Sequence, residues 1–269
     1  MPFTLAHPAA AVPLRRLFGR QAVLSALVIG SLTPDAVYFL PLRVSQPASH
    51  SLAGLAWFCV PVGLVAWLVF HLVLKVPVVA LLPRWVQARL PPVRPGVPAV
   101  SPIVLVLALA LGAATHVVWD AFTHAATLPA RLFPWLRVHL GTVGGLDVPV
   151  WKLLQHASTA VGLGLLAGWS WRRLAAATPA AQPAVPAVAP GAKTAALVVL
   201  VAALGLAALA GVLQAPPSEW SLVGLRLPLR RAVVASLQAA GAATLALALC
   251  WRVAALARER ASTTRPDRA

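Results

Sequence analysis

A carboxylate with a histidine on either side closes a long apolar run in this chain. His116, Asp120 and His124 follow one another at intervals of four residues, so a helix would carry all three side chains on one stripe. A His and an Asp at this spacing can offer a ring nitrogen and a carboxylate oxygen to one divalent cation. The alternative is an ion pair that only locks the end of a helix. The spacing predicts metal ligands and leaves that alternative open.

Other ligand-type side chains lie near the ends of other apolar segments. Asp35 follows a proline, His50 precedes the second segment, and His7 lies in the apolar amino-terminal stretch. Each has a plainer alternative: a helix cap or turn for Asp35, a hydrated loop for His50 and an exposed terminus for His7. Taken together they predict a divalent metal, with zinc favoured, and Asp35 or Asp120 as catalytic base. His156, near the start of the fourth segment, would be an additional or supporting ligand.

The composition describes an integral membrane protein. The 269 residues are 60% hydrophobic and 10% charged, with a mean hydropathy of +0.83, whereas an average soluble domain carries roughly 25% charged residues. Six residues are Asp or Glu, and the formal net charge is +16. The basic residues fall between apolar segments without an aromatic-basic motif. We therefore expect contact with membrane lipid and no binding of nucleic acid.

Six segments approach the roughly 20 apolar residues that cross a bilayer. The first is interrupted by Thr33-Pro34-Asp35, and such a break survives at membrane depth only against protein or a wet cavity. The pattern predicts an all-α, polytopic membrane helix bundle with five to six transmembrane helices. The segments are residues 21–41, 53–74, 101–123, 149–171, 194–214 and 232–254.

Four parts are expected along the chain. They are a metal-site-bearing membrane domain (1–171), an Ala/Pro-rich cytoplasmic linker (172–193), a C-terminal pair of transmembrane helices (194–256) and a basic disordered tail (257–269).

The distribution of basic residues predicts the topology. Most of them lie on the side of the membrane that would hold both chain termini, so we expect a multi-pass protein of the plasma membrane with cytoplasmic termini. The metal ligands would then face outward. His7 conflicts with this arrangement because it would lie on the cytoplasmic side. A re-entrant hairpin over residues 1–40 would bring His7 to the other ligands and leave five spans, but would move Arg15, Arg16 and Arg20 to the outer side.

The first 171 residues resemble a family of bacterial membrane proteins of unknown function. Five separated motifs occur in the order typical of that family. They are Met1-Pro2-Phe3-Thr4-Leu5-Ala6-His7-Pro8, the segment from Ser25 to Asp35, Ser49-His50-Ser51, the segment from Thr115 to His124, and Lys152-Leu153-Leu154-Gln155-His156. The residues after 171 match only by being hydrophobic.

That family in turn is similar to membrane-bound metal-dependent hydrolases and, more distantly, to zinc-dependent phospholipases C. The resemblance implies hydrolysis of a phospholipid or another phosphoester. The phospholipase pattern also has a later His–x3–Glu pair, whereas Ala160 lies four residues after His156. One or two ions are therefore expected rather than three. The implied ligands are His7, Asp35, His50, His116 and Asp120, with His124 or His156 as additional ones.

Two other classes of function stay open at this point. The intramembrane histidines and aspartates could serve a transporter or a proton relay, although they gather at one face instead of lining a path. They could also tie helix ends together in a non-catalytic membrane scaffold. The sequence does not determine the oligomeric state.

Overall fold

The computed structural model describes residues 3–19, 23–181, 184–185, 188 and 190–263, except for the side chains of residues 190 and 258–263. Nearly all regular structure in these residues is helical, so the protein is an all-α polytopic helix bundle, as the sequence predicts. Its helices are α1 (Pro8–Ala11), α2 (Leu24–Gly30), α3 (Ala36–Phe39), α4 (Gln46–Ser49), α5 (Leu52–Leu81), α6 (Arg84–Gln87), α7 (Pro102–Phe122), α8 (Leu128–Leu132), α9 (Val150–Ala176), α10 (Pro190–Leu213) and α11 (Leu222–Thr263), with 3-10 turns at Thr4–Ala6, Val12–Phe18, Thr33–Asp35 and Pro134–Arg137.

Four of the described helices are long and apolar enough to cross a membrane, and the protein is therefore membrane-embedded. They are Leu52–Leu81, Pro102–Phe122, Gly191–Leu213 and Leu222–Ala257. The predicted segment 149–171 forms α9, whose 27 residues are long enough, but α9 is not among the helices that are also apolar enough to cross a membrane. The predicted segment 21–41 is broken after Gly30 by the turn at Thr33–Asp35 and is too short.

The chain forms two compact units. The first consists of Met1–Trp67, Pro98–Ala175 and Pro216–Leu229, and the second of Leu68–Val97, Ala176–Ala215 and Arg230–Ala269. All the candidate ligands belong to the first unit. The domain boundaries at residues 171, 193 and 256 stay predictions, and residues 264–269 of the expected tail lie outside the described residues.

Two glycines allow α2 and α7 to pack with their backbones in contact. A Cβ atom at Gly30 would collide with the Leu109 backbone, and one at Gly112 would collide with the carbonyl oxygen of Leu27. Small residues permit this approach between membrane helices, where packing replaces the hydrophobic effect as the main attraction. The core around this contact includes Leu27, Leu109 and Trp67, all buried. The close approach brings the chain after α2 against the last turns of α7.

The amino-terminal segment folds into a helical hairpin that runs along α9. The Phe3 N–H donates to Thr159 Oγ1 at 3.0 Å, and a Cβ at Gly162 would touch Ala6. Further along, the Arg15 guanidinium lies 5.5 Å from the centroid of the Trp169 ring. Gly19, with φ 62°, ends this arm before α2 begins at Leu24. The first arm of the hairpin thus runs from Thr4 to Gly19, and the second arm returns from Leu24 to Asp35.

The contact of Arg15 corrects one expectation about this hairpin. Arg173 lies over the same Trp169 ring, at 5.8 Å from its centroid. Arg15 and Arg173 therefore occupy the same end of α9. This contact disagrees with the alternative that placed Arg15 and the ligands on one side of the membrane, away from Arg173, while the topology itself stays a prediction. The placement of Arg20 lies outside the described residues.

A β-hairpin that the sequence analysis did not predict follows α8. Strands β1 (His139–Val143) and β2 (Leu146–Pro149) pair antiparallel, with Val143 opposite Leu146. The turn consists of Gly144 and Gly145, with φ of 53° and 81°, a conformation that only glycine adopts without strain at both central positions of a two-residue turn. The Gly-Gly pair between short apolar stretches was the available signal. The exposed hairpin leaves the helical fold class unchanged.

We expect the Gly112→Ala substitution to lower the free energy of unfolding by roughly 1–3 kcal/mol, because the added Cβ meets the fixed Leu27 backbone. Thermal unfolding of the full chain in a mild detergent measures the change. Gly164→Ala is the matched control, since a Cβ at Gly164 in α9 meets no atom within 4 Å. Its expected effect is a gain of about 0.5–1 kcal/mol from helix propensity. Equal stability of the two variants would contradict the packing described for α2 and α7.

Candidate metal centre

Three separate stretches of the first unit bring two carboxylates and two imidazoles together. Asp35 ends the 3-10 turn after α2, His50 follows α4, and His116 and Asp120 lie in the last two turns of α7. Each offers one ligand atom, and these four atoms lie within 4.8 Å of one another. We call these four residues the Asp–His cluster. The cluster could hold a metal ion.

The distances within the Asp–His cluster match the edges of a coordination polyhedron better than they match hydrogen bonds. His50 Nε2 lies 3.6 Å from Asp35 Oδ1 and 3.5 Å from Asp120 Oδ2, and His116 Nε2 lies 3.6 Å from each of the same two oxygens. An N–H···O hydrogen bond would be about 2.7–3.2 Å long. Zinc bound tetrahedrally at about 2.0–2.1 Å would hold its ligand atoms about 3.3–3.4 Å apart.

Six buried side-chain atoms around this centre lack a hydrogen-bond partner among the described residues. They are His7 Nε2, Asp35 Oδ1, His50 Nε2, His116 Nε2, Asp120 Oδ1 and Asp120 Oδ2. Asp35 and His116 are completely buried and Asp120 is 3% exposed. An uncompensated charge in such a place costs on the order of several kcal/mol, and unsatisfied buried polar atoms are rare in folded proteins. A shared cation would satisfy the imidazole nitrogens and the carboxylate oxygens at once.

Hydrogen bonds from outside the cluster fix its imidazoles in the form that ligates metals. His116 Nδ1 lies 2.7 Å from the Ser31 carbonyl oxygen, and His50 Nδ1 lies 3.0 Å from the Gln46 carbonyl oxygen. A carbonyl oxygen only accepts, so each Nδ1 carries the proton and donates it. Each Nε2 then presents its lone pair to the cluster. Metal-ligating histidines commonly have such an anchored second nitrogen.

A threonine holds the buried carboxylate of Asp35 in a comparable way. Thr4 Oγ1 donates to Asp35 Oδ2 at 2.6 Å, which leaves Asp35 Oδ1 free to face the imidazoles. Thr4 is not among the site residues that the sequence predicts. Its position three residues before His7 was the one available signal, because no local pattern links residue 4 to residue 35.

His7 lies against the edge of the Asp–His cluster. Its ring stacks on that of His116, with centroids 3.6 Å apart and planes 16° from parallel. Its Nε2 lies 3.5 Å from Asp120 Oδ1, the oxygen that does not face His50 and His116. Burial, helped by the nearby His116, lowers the pKa of His7 to about 3, so the ring is neutral near pH 7. The hairpin formed by the amino-terminal segment therefore delivers His7 to the other candidates.

An apolar groove adjoins His7. Its volume is about 160 Å³. Val161 and Leu165, on its α9 wall, are 59% and 58% exposed, so the groove opens at the surface of that helix. The lining residues are Ala6, His7, Ala9, Ala10, Trp119, Ser158, Val161, Gly162 and Leu165.

The two remaining predicted histidines lie differently. His124 Nδ1 donates to the Asp120 backbone oxygen at 2.8 Å and so caps the end of α7, and the same atom is 3.9 Å from Asp120 Oδ2. His156 is exposed on α9, while its neighbour Gln155 is buried. No hydrogen bond or ion pair joins His156 to the cluster among the described side chains. Ligand roles for His124 and His156 stay predictions.

We expect Thr4→Val to weaken metal affinity by about 10- to 100-fold, because it removes the hydrogen bond that orients Asp35. Competition of the purified protein with a fluorescent zinc chelator measures the affinity. Thr115→Val is the matched control, since Thr115 Oγ1 donates only to the Gly112 carbonyl within α7. Equal affinities of the two variants would show that the Thr4 hydroxyl does not support the site.

Comparison with known proteins assigns the chain to one family. No curated protein and no solved structure matches the chain. The profile of one family covers residues 1–250, so the family likeness extends beyond residue 171 and includes most of the carboxy-terminal helices. The chain therefore belongs to the family described as a domain of unknown function, DUF4184.

Proposed function

We propose that this protein is a membrane-embedded, divalent-metal-dependent hydrolase that acts on a phospholipid or another lipid phosphoester. One observation carries the proposal. Two buried carboxylates, the buried imidazoles of His7 and His116 and the partly buried imidazole of His50 gather six unpaired ligand-type atoms around one centre, in a chain that has only six acidic residues. The resemblance to membrane-bound metal-dependent hydrolases and zinc-dependent phospholipases supports the reaction class.

Zinc is the metal that this donor set favours. Neutral imidazole nitrogens and carboxylate oxygens at tetrahedral spacing suit zinc, whereas calcium and magnesium prefer six or more oxygen ligands. The proposed ligands are Asp35 Oδ1, His50 Nε2, His116 Nε2 and Asp120 Oδ2. One ion accounts for these four atoms. His7 and Asp120 Oδ1 would then flank it on the side of the groove.

The residues around the ion have separable roles in this proposal. When bound, the metal would lower the pKa of a water that enters its coordination shell during the reaction, and it would stabilise the negative charge of the phosphoryl oxygens. Asp120 Oδ1 is the better candidate for general base, because it is free and faces His7. Asp35 is the better candidate for a ligand alone, since its second oxygen is bound by Thr4. His7 is placed to orient water or the leaving group.

The groove favours a lipid over a water-soluble substrate. It begins at His7 and continues between alanine side chains and α9 toward the exposed face of that helix. An acyl chain in the groove would put the attached phosphoester beside His7 and Asp120. Membrane lipid is thus proposed as both the surroundings and the substrate of the enzyme.

The proposed orientation places the metal centre toward the outside of a plasma membrane and the carboxy terminus in the cytoplasm. Arg15 and Arg173 share one end of α9, and the Asp–His cluster adjoins the other part of the hairpin, near Thr4. A basic end opposite the metal centre agrees with the excess of Lys and Arg on cytoplasmic faces.

Metal content is the first test. We expect the purified full chain to contain about one zinc ion per molecule by elemental analysis, since four protein ligands describe a single tetrahedral site. His116→Ala should lose the ion. His139→Ala is the matched control, because His139 also lies beside an aspartate, Asp147, but in an exposed pair. A wild-type protein without a divalent metal, or full retention by His116→Ala, would refute the proposal.

Hydrolysis is the second part of the same test. Phosphate-containing product released from phospholipid in mixed micelles should fall by roughly 100-fold or more in Asp120→Asn, because the substitution removes the proposed general base and weakens a metal ligand. His139→Ala should retain full activity.

A structural metal site is the second candidate function, and the completeness of the ligand set favours it. Structural zinc sites are closed by four protein ligands, whereas catalytic sites keep a position for water or substrate. In that case a chelator would lower the melting temperature of the protein, because an ion bound only to the native state stabilises it. No phosphoester would be hydrolysed at any metal concentration. Zinc binding with no hydrolysis therefore selects this candidate.

We expect Ala9→Leu to slow hydrolysis of a long-chain phospholipid by about tenfold or more, because the larger side chain would fill part of the groove. Hydrolysis of a water-soluble aryl phosphoester should be unchanged. Ala160→Leu, on the exposed surface of α9 and outside the groove lining, is the control. Equal slowing of both substrates would mean that the groove does not hold the acyl chain.

A further inference from the structure

The Trp169 ring in the carboxy-terminal half of α9 is contacted by two cationic side chains at once. The guanidinium groups of Arg15 and Arg173 lie 5.5 and 5.8 Å from its centroid. Each contact is a cation–π interaction worth about 0.5–1 kcal/mol at an exposed site. The two groups come from separate parts of the chain, the first arm of the hairpin and the end of α9. The fold therefore concentrates like charges at one indole.

No carboxylate compensates these charges among the described residues. Every ion pair between described side chains has a histidine as its basic partner, and the acidic partners are Asp35, Asp120 and Asp147. Arg16 and Arg172, the sequence neighbours of the two stacked arginines, are exposed and add further positive charge. Like charges held together without a counter-ion repel one another, and an external anion would relieve this repulsion.

The surroundings of the arginines are suited to an amphiphile. Leu17 lies two residues after Arg15 in the chain and is 71% exposed. Trp171 lies two residues before Arg173 and is 63% exposed. Large apolar side chains beside unpaired guanidinium groups match a molecule that combines a phosphate with acyl chains. Tryptophan and arginine also collect where a membrane helix reaches the headgroups. A nucleic acid or free phosphate would use the charges but not the apolar surface.

From the charge and the adjoining apolar surface, we infer that Arg15, Trp169 and Arg173 form a binding site for the headgroup of an anionic phospholipid. The lipid phosphate accepts hydrogen bonds from the guanidinium groups, and its chains lie against Leu17. The site is separate from the Asp–His cluster. Thr159, the residue of α9 that anchors Phe3, precedes Trp169 by ten residues, a distance of about 15 Å along a helix. The lipid bound here clamps the first arm of the hairpin to α9.

Native mass spectrometry of the purified full chain with added phosphatidylglycerol or phosphatidylcholine tests this site. We expect preferential binding of phosphatidylglycerol, and a loss of about fivefold in its apparent affinity for each arginine neutralised. Arg15→Gln and Arg173→Gln, singly and together, are the variants. Arg137→Gln is the control, since Arg137 is exposed, as Arg173 is, but lies in the turn before β1.

Thermal unfolding supplies a second measurement that does not depend on the mass spectrometer. Phosphatidylglycerol should raise the melting temperature of wild type and Arg137→Gln more than that of the double variant, and inorganic phosphate should not reproduce the shift. Equal shifts with the two lipids, an undiminished shift in the double variant or an equal shift with phosphate alone would each overturn the inference. Zinc content is expected to stay unchanged in all these variants, so the result is independent of the metal centre.

Discussion

The burial of two carboxylates among apolar helices is the constraint on which the rest of this structure depends. Asp35 is completely buried and Asp120 nearly so, and each has at least one oxygen without a hydrogen-bond donor. In a membrane-embedded protein such groups are strongly unfavourable unless a cation compensates them. The imidazoles of His50 and His116 stand at the distances that a shared cation requires. The hydrogen bonds of His116 to Ser31, of His50 to Gln46 and of Thr4 to Asp35 leave both Nε2 atoms and Asp35 Oδ1 free to bind a metal.

The helix packing and the chemistry of the centre are linked through the contact between α2 and α7. Gly30 and Gly112 let the two backbones touch, and this contact places the Ser31 carbonyl oxygen where it accepts from His116 Nδ1. The same short connection continues into the turn that carries Asp35. A change in the spacing of the two helices would therefore alter both an imidazole and a carboxylate. The site is held by the most closely packed helix pair of the first unit, which favours a fixed geometry.

The amino-terminal hairpin contacts α9 at two places, near Thr159 and at Trp169. The start of the hairpin supplies Thr4 and His7 to the metal centre. The part of the hairpin nearer its turn stacks Arg15 on Trp169. This arrangement removes the conflict between the charge distribution, which groups Arg15 with Arg173, and the chemistry, which needs His7 beside Asp120. Both conditions hold because the hairpin leaves the metal centre, turns near Gly19 and returns to it at Asp35.

The sequence by itself determined the class of protein, the positions of the four helices that are long and apolar enough to cross a membrane, and a set of candidate ligands that contains the four cluster residues. These follow from local properties: hydropathy over about 20 residues, and the rarity of carboxylates in apolar segments, which made Asp35 and Asp120 conspicuous. The four-residue spacing of His116 and Asp120 likewise fixed their common face on α7.

Only the tertiary structure decided which residues pair, stack and support one another, because these arrangements depend on contacts between residues far apart in the chain. The pairing of Thr4 with Asp35, the stacking of His7 on His116 and the meeting of Arg15 with Arg173 have no local signature. The Ser31 carbonyl oxygen that accepts from His116 Nδ1 lies 85 positions away in the sequence. Because it is a backbone group, no pattern of side-chain types could reveal this contact. Spacing along a helix places side chains on one face, but the approach of separate segments is set by packing.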